Sequence, residues 1–249
     1  MAGKVYGQVA IITGGTTGLG AATTRLFASN GYRVLATALN DPDQLIPLLM
    51  AQGYNVHFLP SDLSTPKESS NAIVDQAISL FGQIDVVVNC AAMISHKELS
   101  QVTESDWDDI FAVNLKAPFF MAQSAFPFLA QTKGCIINIS SMNAWKVNVK
   151  NHLYDSLKAA LNHLTKGLAL EFRESGVRVN AIMPGAMNTP LISEWLEVFL
   201  GRPSESADLA QPHIATPEMV AQGILALASD ELRWINGVEL PMDGGYHLG

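Results

Sequence analysis

The chain has 249 residues, a length that one α/β domain can reach around a single core, and 48% of its residues are hydrophobic against 15% charged. This composition excludes intrinsic disorder, which requires low hydrophobicity and high charge. The formal net charge of −8 gives no basic footprint for a phosphate backbone, so no nucleic-acid partner is expected.

The first residues, MAGKVYGQVAIITGG, lack the long apolar core and the small-residue cleavage site of a secretory signal. The most hydrophobic long stretch, 115–131, contains Lys116, Pro118 and Pro127, and so predicts a buried helix. We therefore expect a soluble, cytoplasmic protein that does not bind a membrane.

Short apolar runs rich in β-branched residues alternate with longer stretches of helical periodicity. The strand-like runs are 9–13, 33–37, 55–60, 85–90, 134–140, 177–183 and 237–240. Helical stretches such as 19–31 and 66–81 lie between them, as is typical of βαβ units around a parallel sheet. Run 85–90 is almost continuously apolar, which predicts burial on both faces. The sequence thus predicts one α/β domain, residues 1–249, with a doubly wound parallel sheet and helices on both faces.

Two helix starts carry recognisable sequence signals. Thr65 precedes Pro66, and Glu68 stands at the reciprocal position of a capping box. Thr216 precedes Pro217 in the same way. Both pairs predict a helix that begins at the proline and is capped by the threonine.

Segment 191–212 interrupts this alternation of strands and helices. It contains Trp195, Phe199, Gly201 and Pro203 but no strand-like run. It follows the end of a strand, and ligands of open α/β sheets bind beyond the carboxyl ends of the strands. We interpret the segment as a substrate lid. A structural or subunit-contact excursion is the alternative.

The first strand-like run leads into a glycine-rich loop, TGGTTGLG, at 13–20. Gly14, Gly18 and Gly20 allow a tight turn and a close approach to a pyrophosphate, which the amides of the next helix N-terminus can hold. The spacing is GxxxGxG, not the common GxGxxG. A tight turn without a ligand is the alternative.

Tyr154 and Lys158 lie four residues apart on a predicted helix, so their side chains share one face. Free tyrosine has a pKa of about 10, so proton transfer near neutral pH requires a lowered pKa. A neighbouring ammonium lowers it. The pair predicts an acid–base site at Tyr154, the alternative being an exposed tyrosine with an unrelated lysine.

Together these motifs resemble those of the short-chain dehydrogenase/reductase family. The matching runs are TGGTTGLG at 13–20, NCAA at 89–92, VNLKAPF with Asn114, IINISSM with Ser141, YDSLK at 154–158, Pro184-Gly185 with Thr189, and DGG at 243–245. The resemblance extends from 3 to about 246. It implies a Rossmann-like fold, an NAD(P)(H) cofactor and hydride transfer between the nicotinamide and a carbonyl or secondary alcohol.

The resemblance implies a catalytic set of Asn114, Ser141, Tyr154 and Lys158. Tyr154 would be the general acid and base, and Ser141 would hydrogen-bond the substrate oxygen. Lys158 would also bind the nicotinamide ribose, and Asn114 would hold a water that links Lys158 to solvent. Ser141 is preferred to Ser140 because its spacing to the tyrosine fits the family, and adjacent strand residues face opposite sides.

The cofactor contacts that the resemblance implies come from the ends of several strands. They are Gly14, Thr16, Thr17, Gly18, Leu19, Gly20, Leu39, Asp62, Leu63, Asn89, Ala91, Tyr154, Lys158, Pro184, Gly185 and Thr189. Asp62 resembles the family's adenine-binding acid, and the alternative is that it only caps a turn.

Two departures from the family pattern concern the cofactor. NCAA at 89–92 replaces an NNAG-type motif. Ala38 and Leu39 stand where an NAD-preferring member usually has aspartate and an NADP-preferring member often has arginine. Because the glycine loop has no basic residue for a 2′-phosphate, we favour NAD slightly over NADP, with Asn40 and Asp41 as candidate ribose contacts.

Five residues are predicted to line the substrate pocket. These residues are Asn143, Trp145, Met187, Trp195 and Phe199. Their aromatic and sulfur side chains favour an apolar ring or chain as substrate, and the family implies polyols and sugars, 3-oxoacyl thioesters, steroids and other secondary alcohols as candidates. His152 either lines this pocket or lies on the surface.

The remaining expectations concern metals, assembly and rival functions. The six histidines show no ligand spacing, so no metal site is predicted.

Apolar stretches 105–131 and 152–172 resemble the helices through which family members form dimers and tetramers, so a homotetramer or homodimer is expected. A catalytically silent nucleotide-binding sensor or scaffold is the alternative function, and the complete catalytic set argues against it. A methyltransferase would leave the YxxxK motif unexplained.

Overall fold

A computed structural model describes residues 7–187, 189 and 214–248. The described strands are β1 (Val9–Thr13), β2 (Arg33–Ala38), β3 (Val56–Pro60), β4 (Val86–Asn89), β5 (Cys135–Ile139), β6 (Arg178–Pro184) and β7 (Glu239–Met242). They form one sheet of order β3-β2-β1-β4-β5-β6-β7, and every pair is parallel. The order runs outward in both directions from β1 and β4. The predicted doubly wound, Rossmann-like fold is therefore confirmed.

The described α-helices lie between consecutive strands, on both faces of the sheet. They are α1 (Gly18–Ser29), α2 (Leu45–Ala51), α3 (Pro66–Phe81), α4 (Glu104–Phe111), α5 (Ala117–Thr132), α6 (His152–Phe172) and α7 (Pro217–Ala228). A one-turn π-helix, Ala112–Lys116, joins α4 to α5. In the described part of the chain, no helix is both long and apolar enough to span a membrane.

Alternation along the strands produces two cores, one on each face. In β1, Ala10 and Ile12 pack in the cluster that includes α1, α2 and α7, whereas Ile11 packs in the cluster with α3, α5 and α6. All five residues of β1 are buried. Continuous apolar strands are the consequence, because both faces are covered.

The two predicted caps differ in outcome. Thr216 caps α7, since its hydroxyl accepts a hydrogen bond from the Met219 amide at 3.4 Å. The prediction of a capping box at Thr65 is wrong, because the Thr65 side chain makes no capping hydrogen bond, although α3 does begin at Pro66. Thr65 has a ψ of 72°, well short of the 152° of Thr216, and its hydroxyl bonds Ser69 Oγ at 3.0 Å. The side chain is therefore directed to Ser69 and not to the helix amides.

Candidate active site

A cavity of about 540 Å³ opens at the carboxyl ends of the strands. Its lining comes from the loops that follow β1 to β6, together with α6 and the C-terminal turn. This is where ligands bind in open α/β sheets, and the volume suits a small-molecule site.

The glycine loop forms one end of this cavity. Gly14 has a φ of +63°, and a Cβ on Gly20 would stand 1.9 Å from the carbonyl oxygen of Gly14. Only glycine at position 20 therefore allows α1 to start against the turn. Thr17 precedes α1 without a side-chain cap, which leaves the first amides of the helix for a ligand. This bare helix start, beside a turn that a Cβ would obstruct, fits the pyrophosphate of a dinucleotide.

Thr13 joins the glycine loop to the loop after β4, a role that the motifs did not indicate. Its hydroxyl accepts hydrogen bonds from the amides of Cys90 at 3.1 Å and Ala91 at 3.2 Å. Thr13 is 2% exposed and lies at the end of β1. Thr13 is the first residue of the TGGTTGLG run, and that position was the available signal.

The loop after β2 lines the cavity with neutral groups. Ala38, Leu39 and Asn40 all contribute, and Leu39 is 70% exposed. Thr16 Oγ1 donates to the Asn40 carbonyl oxygen at 2.8 Å, which holds this loop against the glycine loop. Asp41, a candidate ribose contact, instead accepts hydrogen bonds at 2.9 Å from the first two amides of α2. A carboxylate is stabilised at this position because the first amides of a helix carry partial positive charge. Asp41 therefore caps α2.

Asp62 combines both of its predicted roles. It lines the cavity together with Leu63, and its Oδ1 accepts a hydrogen bond from the Ser64 amide at 2.8 Å. The carboxylate therefore shapes the turn after β3 while remaining at the cavity wall.

Asn89 is the predicted cofactor contact that the structure does not place on the cavity. Its Nδ2 donates to Asn138 Oδ1 at 2.8 Å, and Asn138 Nδ2 donates to Thr165 Oγ1 at 2.9 Å. This buried chain links β4, β5 and α6. The other predicted cofactor contacts, including Thr189, all line the cavity.

Tyr154, Lys158 and Ser141 all line the cavity. Ser141 follows β5 and hydrogen-bonds Tyr154. Lys158 Nζ donates to the Ile139 carbonyl oxygen at 2.7 Å and lies 5.3 Å from the centre of the Tyr154 ring. Ser140 also reaches the cavity, but its hydroxyl donates to the Lys158 carbonyl oxygen at 3.1 Å. The structure therefore leaves Ser141 as the serine that bonds the tyrosine.

Burial dominates the titration of these groups. It raises the pKa of Tyr154 above its ordinary value, against a lowering by the Ser141 hydrogen bond. It lowers the pKa of Lys158 to about 8. The expectation that Lys158 lowers the pKa of Tyr154 is not met, because burial raises this pKa and the Lys158 ammonium donates to the Ile139 carbonyl oxygen instead. Tyr154 is therefore a neutral phenol at neutral pH.

Asn114 sits in the π-helix and is fully buried. Its Nδ2 donates to the carbonyl oxygens of Met93 at 2.8 Å and Ile110 at 3.0 Å. Its Oδ1 has no hydrogen-bond partner among the described residues. The side chain is not part of the cavity lining, so it would act there only through an intermediary such as a water.

The substrate end of the cavity matches the predicted pocket in part. Asn143 and Met187 line it. Trp145 does not, because its Nε1 donates to Glu239 Oε2 at 2.9 Å and its ring stands edge-on to His247. Trp195 and Phe199 lie outside the described residues, as does the predicted lid, 191–212.

Several lining residues of this end were missed because they come from separate loops. They are Met93, Ile94, His96, Met142, Asn148, Asn151, Ile214 and Tyr246. Tyr246 follows the DGG run, where Asp243 accepts hydrogen bonds from the amides of Gly245 at 3.0 Å and His247 at 2.8 Å. His152 is partly buried and does not line the cavity.

A glycine turn at the first strand of a doubly wound sheet, with a buried tyrosine, serine and lysine beside it, defines a nicotinamide-dependent oxidoreductase. A family model described as "Enoyl-(Acyl carrier protein) reductase" matches residues 14–247. The chain belongs to the short-chain dehydrogenase/reductase family and is an NAD(P)(H)-dependent oxidoreductase.

Named relatives cover the whole length of the chain. The 2,5-dichloro-2,5-cyclohexadiene-1,4-diol dehydrogenase LinX of Sphingobium indicum is 36% identical over 252 residues, 100% of both chains. The 4-formylbenzenesulfonate dehydrogenase TsaC1/TsaC2 of Comamonas testosteroni is 36% identical over 97% of this chain and 98% of its own. The crystal structure of gox2181 superposes with a TM-score of 0.89 at 25% identity, over 99% of this chain and 98% of that one.

Proposed function

We propose that the protein interconverts a secondary alcohol and its ketone, as an alcohol dehydrogenase or ketoreductase, with Tyr154 as general acid and base. The observation that carries this proposal is the position of Tyr154, hydrogen-bonded to Ser141 on the wall of the cavity that also contains the glycine turn. A silent sensor would have no need of a buried acid–base pair there.

Tyr154 would move the proton and Ser141 would hold the reacting oxygen. In reduction, the neutral phenol donates its proton to the carbonyl oxygen, and the Ser141 hydroxyl hydrogen-bonds the same oxygen. In oxidation, Tyr154 must first lose its proton, so its raised pKa has to fall. Lys158 supplies the positive charge for that fall if its ammonium turns from Ile139 towards the phenol. Asn114 Oδ1 would accept a hydrogen bond from a water on the proton path to Lys158.

The cofactor fits the other end of the cavity. A bound nicotinamide supplies or accepts the hydride and, when oxidised, adds a positive charge to the site. The amides at the start of α1 would bind its pyrophosphate and Lys158 its ribose hydroxyls. Pro184, Gly185 and Thr189 line the cavity beyond β6 and would hold the carboxamide end.

We favour NAD over NADP as the coenzyme. Within the described residues, Lys158 is the sole lysine or arginine of the cavity lining, and it lies at the catalytic centre. A 2′-phosphate near Ala38 and Leu39 would therefore lose water without gaining a cationic partner. A lower KM for NADPH than for NADH would contradict this preference.

The substrate end favours a compact apolar ring that carries the reacting oxygen. Met93, Ile94, Met187 and Ile214 provide apolar lining, and amide side chains provide the polar part. The names of two relatives refer to ring compounds, a chlorinated cyclohexadiene diol and a benzenesulfonate. We retain 191–212 as the proposed lid. Turnover restricted to small open-chain polyols would contradict the ring preference.

We also propose that copies of the chain assemble into a homotetramer or homodimer. Phe119 on α5 and Leu170 on α6 leave 41% and 67% of their surfaces exposed, on the two helices expected to form the interface. Burial of such residues would drive association. Sedimentation of a monomer at micromolar concentration would contradict this proposal.

We place the protein in the cytoplasm, where reducing conditions keep thiols such as Cys90 and Cys135 unpaired. Cell fractionation would test this location, and recovery of the protein from an oxidising compartment would contradict it.

The experiment that tests the catalytic proposal compares wild type with Tyr154→Phe. NADH and NADPH are titrated into both, and the absorbance of the nicotinamide is followed with a panel of cyclic alcohols and ketones. We expect equal coenzyme affinity and a loss of about 10²- to 10⁴-fold in kcat for the variant. Tyr54→Phe, a partly buried tyrosine outside the cavity lining, is the matched control and should retain activity. Coenzyme binding without any turnover in wild type would favour the sensor.

A further inference from the structure

Asp155 is a buried carboxylate next to the catalytic tyrosine that the proposed reaction does not use. It lies in the first turn of α6 and is 2% exposed. Its Oδ1 accepts hydrogen bonds from two side chains, Asn143 Nδ2 at 2.8 Å and Asn151 Nδ2 at 2.7 Å. Its Oδ2 accepts one from the backbone N–H of Asn148 at 2.8 Å. One side chain therefore binds three asparagines of a single connecting segment, 143–151.

These bonds continue to the reacting groups. The side-chain Nδ2 of Asn148 donates to Asn143 Oδ1 at 2.9 Å, and the backbone N–H of Asn143 donates to Ser141 Oγ at 3.1 Å. The carboxylate is thus two hydrogen bonds away from the serine that meets the substrate oxygen.

Asn143, Asn148 and Asn151 all line the cavity, whereas Asp155 does not. Apart from a short 3₁₀ turn at Met142–Ala144, segment 143–151 has no helix or strand ladder of its own. Among the described residues, its backbone hydrogen bonds close only local turns at 141–146 and 148–151. The shared carboxylate adds three hydrogen bonds that tie the segment to α6.

Chemistry explains why a carboxylate is needed at this point. An ionised carboxylate is an acceptor only, and hydrogen bonds to a charged group are about twice as strong as neutral ones. Burial raises the pKa of Asp155, while the hydrogen bonds of Asn148, Asn143 and Asn151 and the charge of His152 act in the opposite direction. An asparagine at this position would turn an NH₂ group towards at least one donor and lose that bond.

We propose that Asp155 is a positioning residue that holds segment 143–151 as the polar wall of the substrate site and so sets the affinity for the alcohol or ketone. Hydride and proton transfer remain with Tyr154 and Lys158. This inference rests on the proposed function, because the affinity it concerns is that of the reacting substrate.

The test uses Asp155→Asn, which keeps the shape of the side chain, and Asp155→Ala, with Asp75→Asn on the exposed face of α3 as the matched control. With the best substrate of the panel, we expect the KM of Asp155→Asn to rise about tenfold, which corresponds to about one hydrogen bond. The kcat should stay within threefold, and the Kd for NADH within twofold. Asp75→Asn should match wild type in all three.

Hydrogen exchange gives a readout that does not depend on turnover. In Asp155→Asn the peptide that covers 143–151 should exchange faster, while the glycine loop at 13–20 should exchange as in wild type. Should Asp155→Ala fail to fold, Asp155→Asn still provides both measurements.

The outcomes separate this inference from the proposed function. A fall in kcat at constant KM, or an unchanged KM in Asp155→Asn while wild type turns over, would overturn the positioning role alone. An absence of turnover in wild type itself would overturn the proposed function and this inference with it.

Discussion

The two ends of the cavity are built in different ways. At the coenzyme end the proposed pyrophosphate site is a backbone turn, in which Gly14 and Gly20 come so close that no side chain fits between them. At the substrate end the surface is made of side chains, and the segment that supplies many of them is held by Asp155. The glycine turn is specified by a few adjacent residues, and the substrate end by residues distant from each other along the chain.

This difference predicts how each end responds to mutation. A backbone turn has no means to adapt to an added atom, because the neighbouring backbone cannot move aside without displacing α1. A network of side chains loses one hydrogen bond at a time and should fail by degrees. Large effects on coenzyme binding and graded effects on substrate binding are therefore expected.

The largest expected effect is at the coenzyme end. In Gly20→Ala the new Cβ would stand 1.9 Å from the Gly14 carbonyl oxygen. We expect displacement of the α1 start and a loss of about 100-fold or more in NADH affinity, measured by calorimetric titration. Gly167→Ala is the control, because a Cβ on that helical glycine meets no atom within 4 Å. Unchanged affinity in Gly20→Ala would show that this turn is not the coenzyme site.

A smaller effect concerns stability at the point where the two ends meet. Burial lowers the pKa of Lys158 from 10.5 to about 8, so between these values the unfolded chain binds a proton there that the folded chain does not. Stability from this group therefore rises with pH through that window and is constant below it. The gain is about 3 kcal/mol, from about 1.36 kcal/mol for each pKa unit.

Lys158→Met removes this titration. Denaturant unfolding at a series of pH values should show the wild type gaining stability over the variant between pH 8 and 10.5. Parallel curves for the two proteins would contradict a lowered pKa of Lys158 in the folded state.

The smallest expected effect is at the substrate end. Trp145 lies in segment 143–151, but its indole donates to Glu239 and does not line the cavity. Trp145→Phe should therefore change the KM for substrate by no more than about threefold, the equivalent of less than one hydrogen bond. Asn143→Ala, which alters the cavity lining itself, is the comparison and should raise KM further. A tenfold rise of KM in Trp145→Phe would show that the tryptophan does contribute to the substrate pocket.

The strands and most of the helices follow from the sequence because they depend on local periodicity. The predicted run 9–13 coincides with β1, and 33–37 differs from β2 by one residue at its end. The cap at Thr65 was wrong for a local reason as well, since its backbone is not extended there. Local rules thus predicted the elements well and their exact ends less well.

In the candidate site, too, the residues that follow from local patterns were predicted, and those that depend on distant partners were not. Gly14 and Gly20 are identified by the spacing of the loop, and Tyr154 with Lys158 by one turn of a helix, so short-range patterns suffice for both. Asn89 has a family-like position in sequence, yet its side chain pairs with Asn138 on the neighbouring strand. The sequence around Asn89 does not predict this pairing, because Asn138 is 49 residues away along the chain.

The amino-acid sequence was enough to predict the doubly wound sheet, the glycine turn and the tyrosine–lysine pair, because periodicity and short spacing encode backbone conformation and a shared helix face. The folded structure was needed to show that Asp155 holds the wall of the substrate site, that Trp145 turns away from it and that burial raises the pKa of Tyr154. Each of these depends on burial and on partners from other elements. Desolvation and long-range hydrogen bonds arise only when the chain is folded.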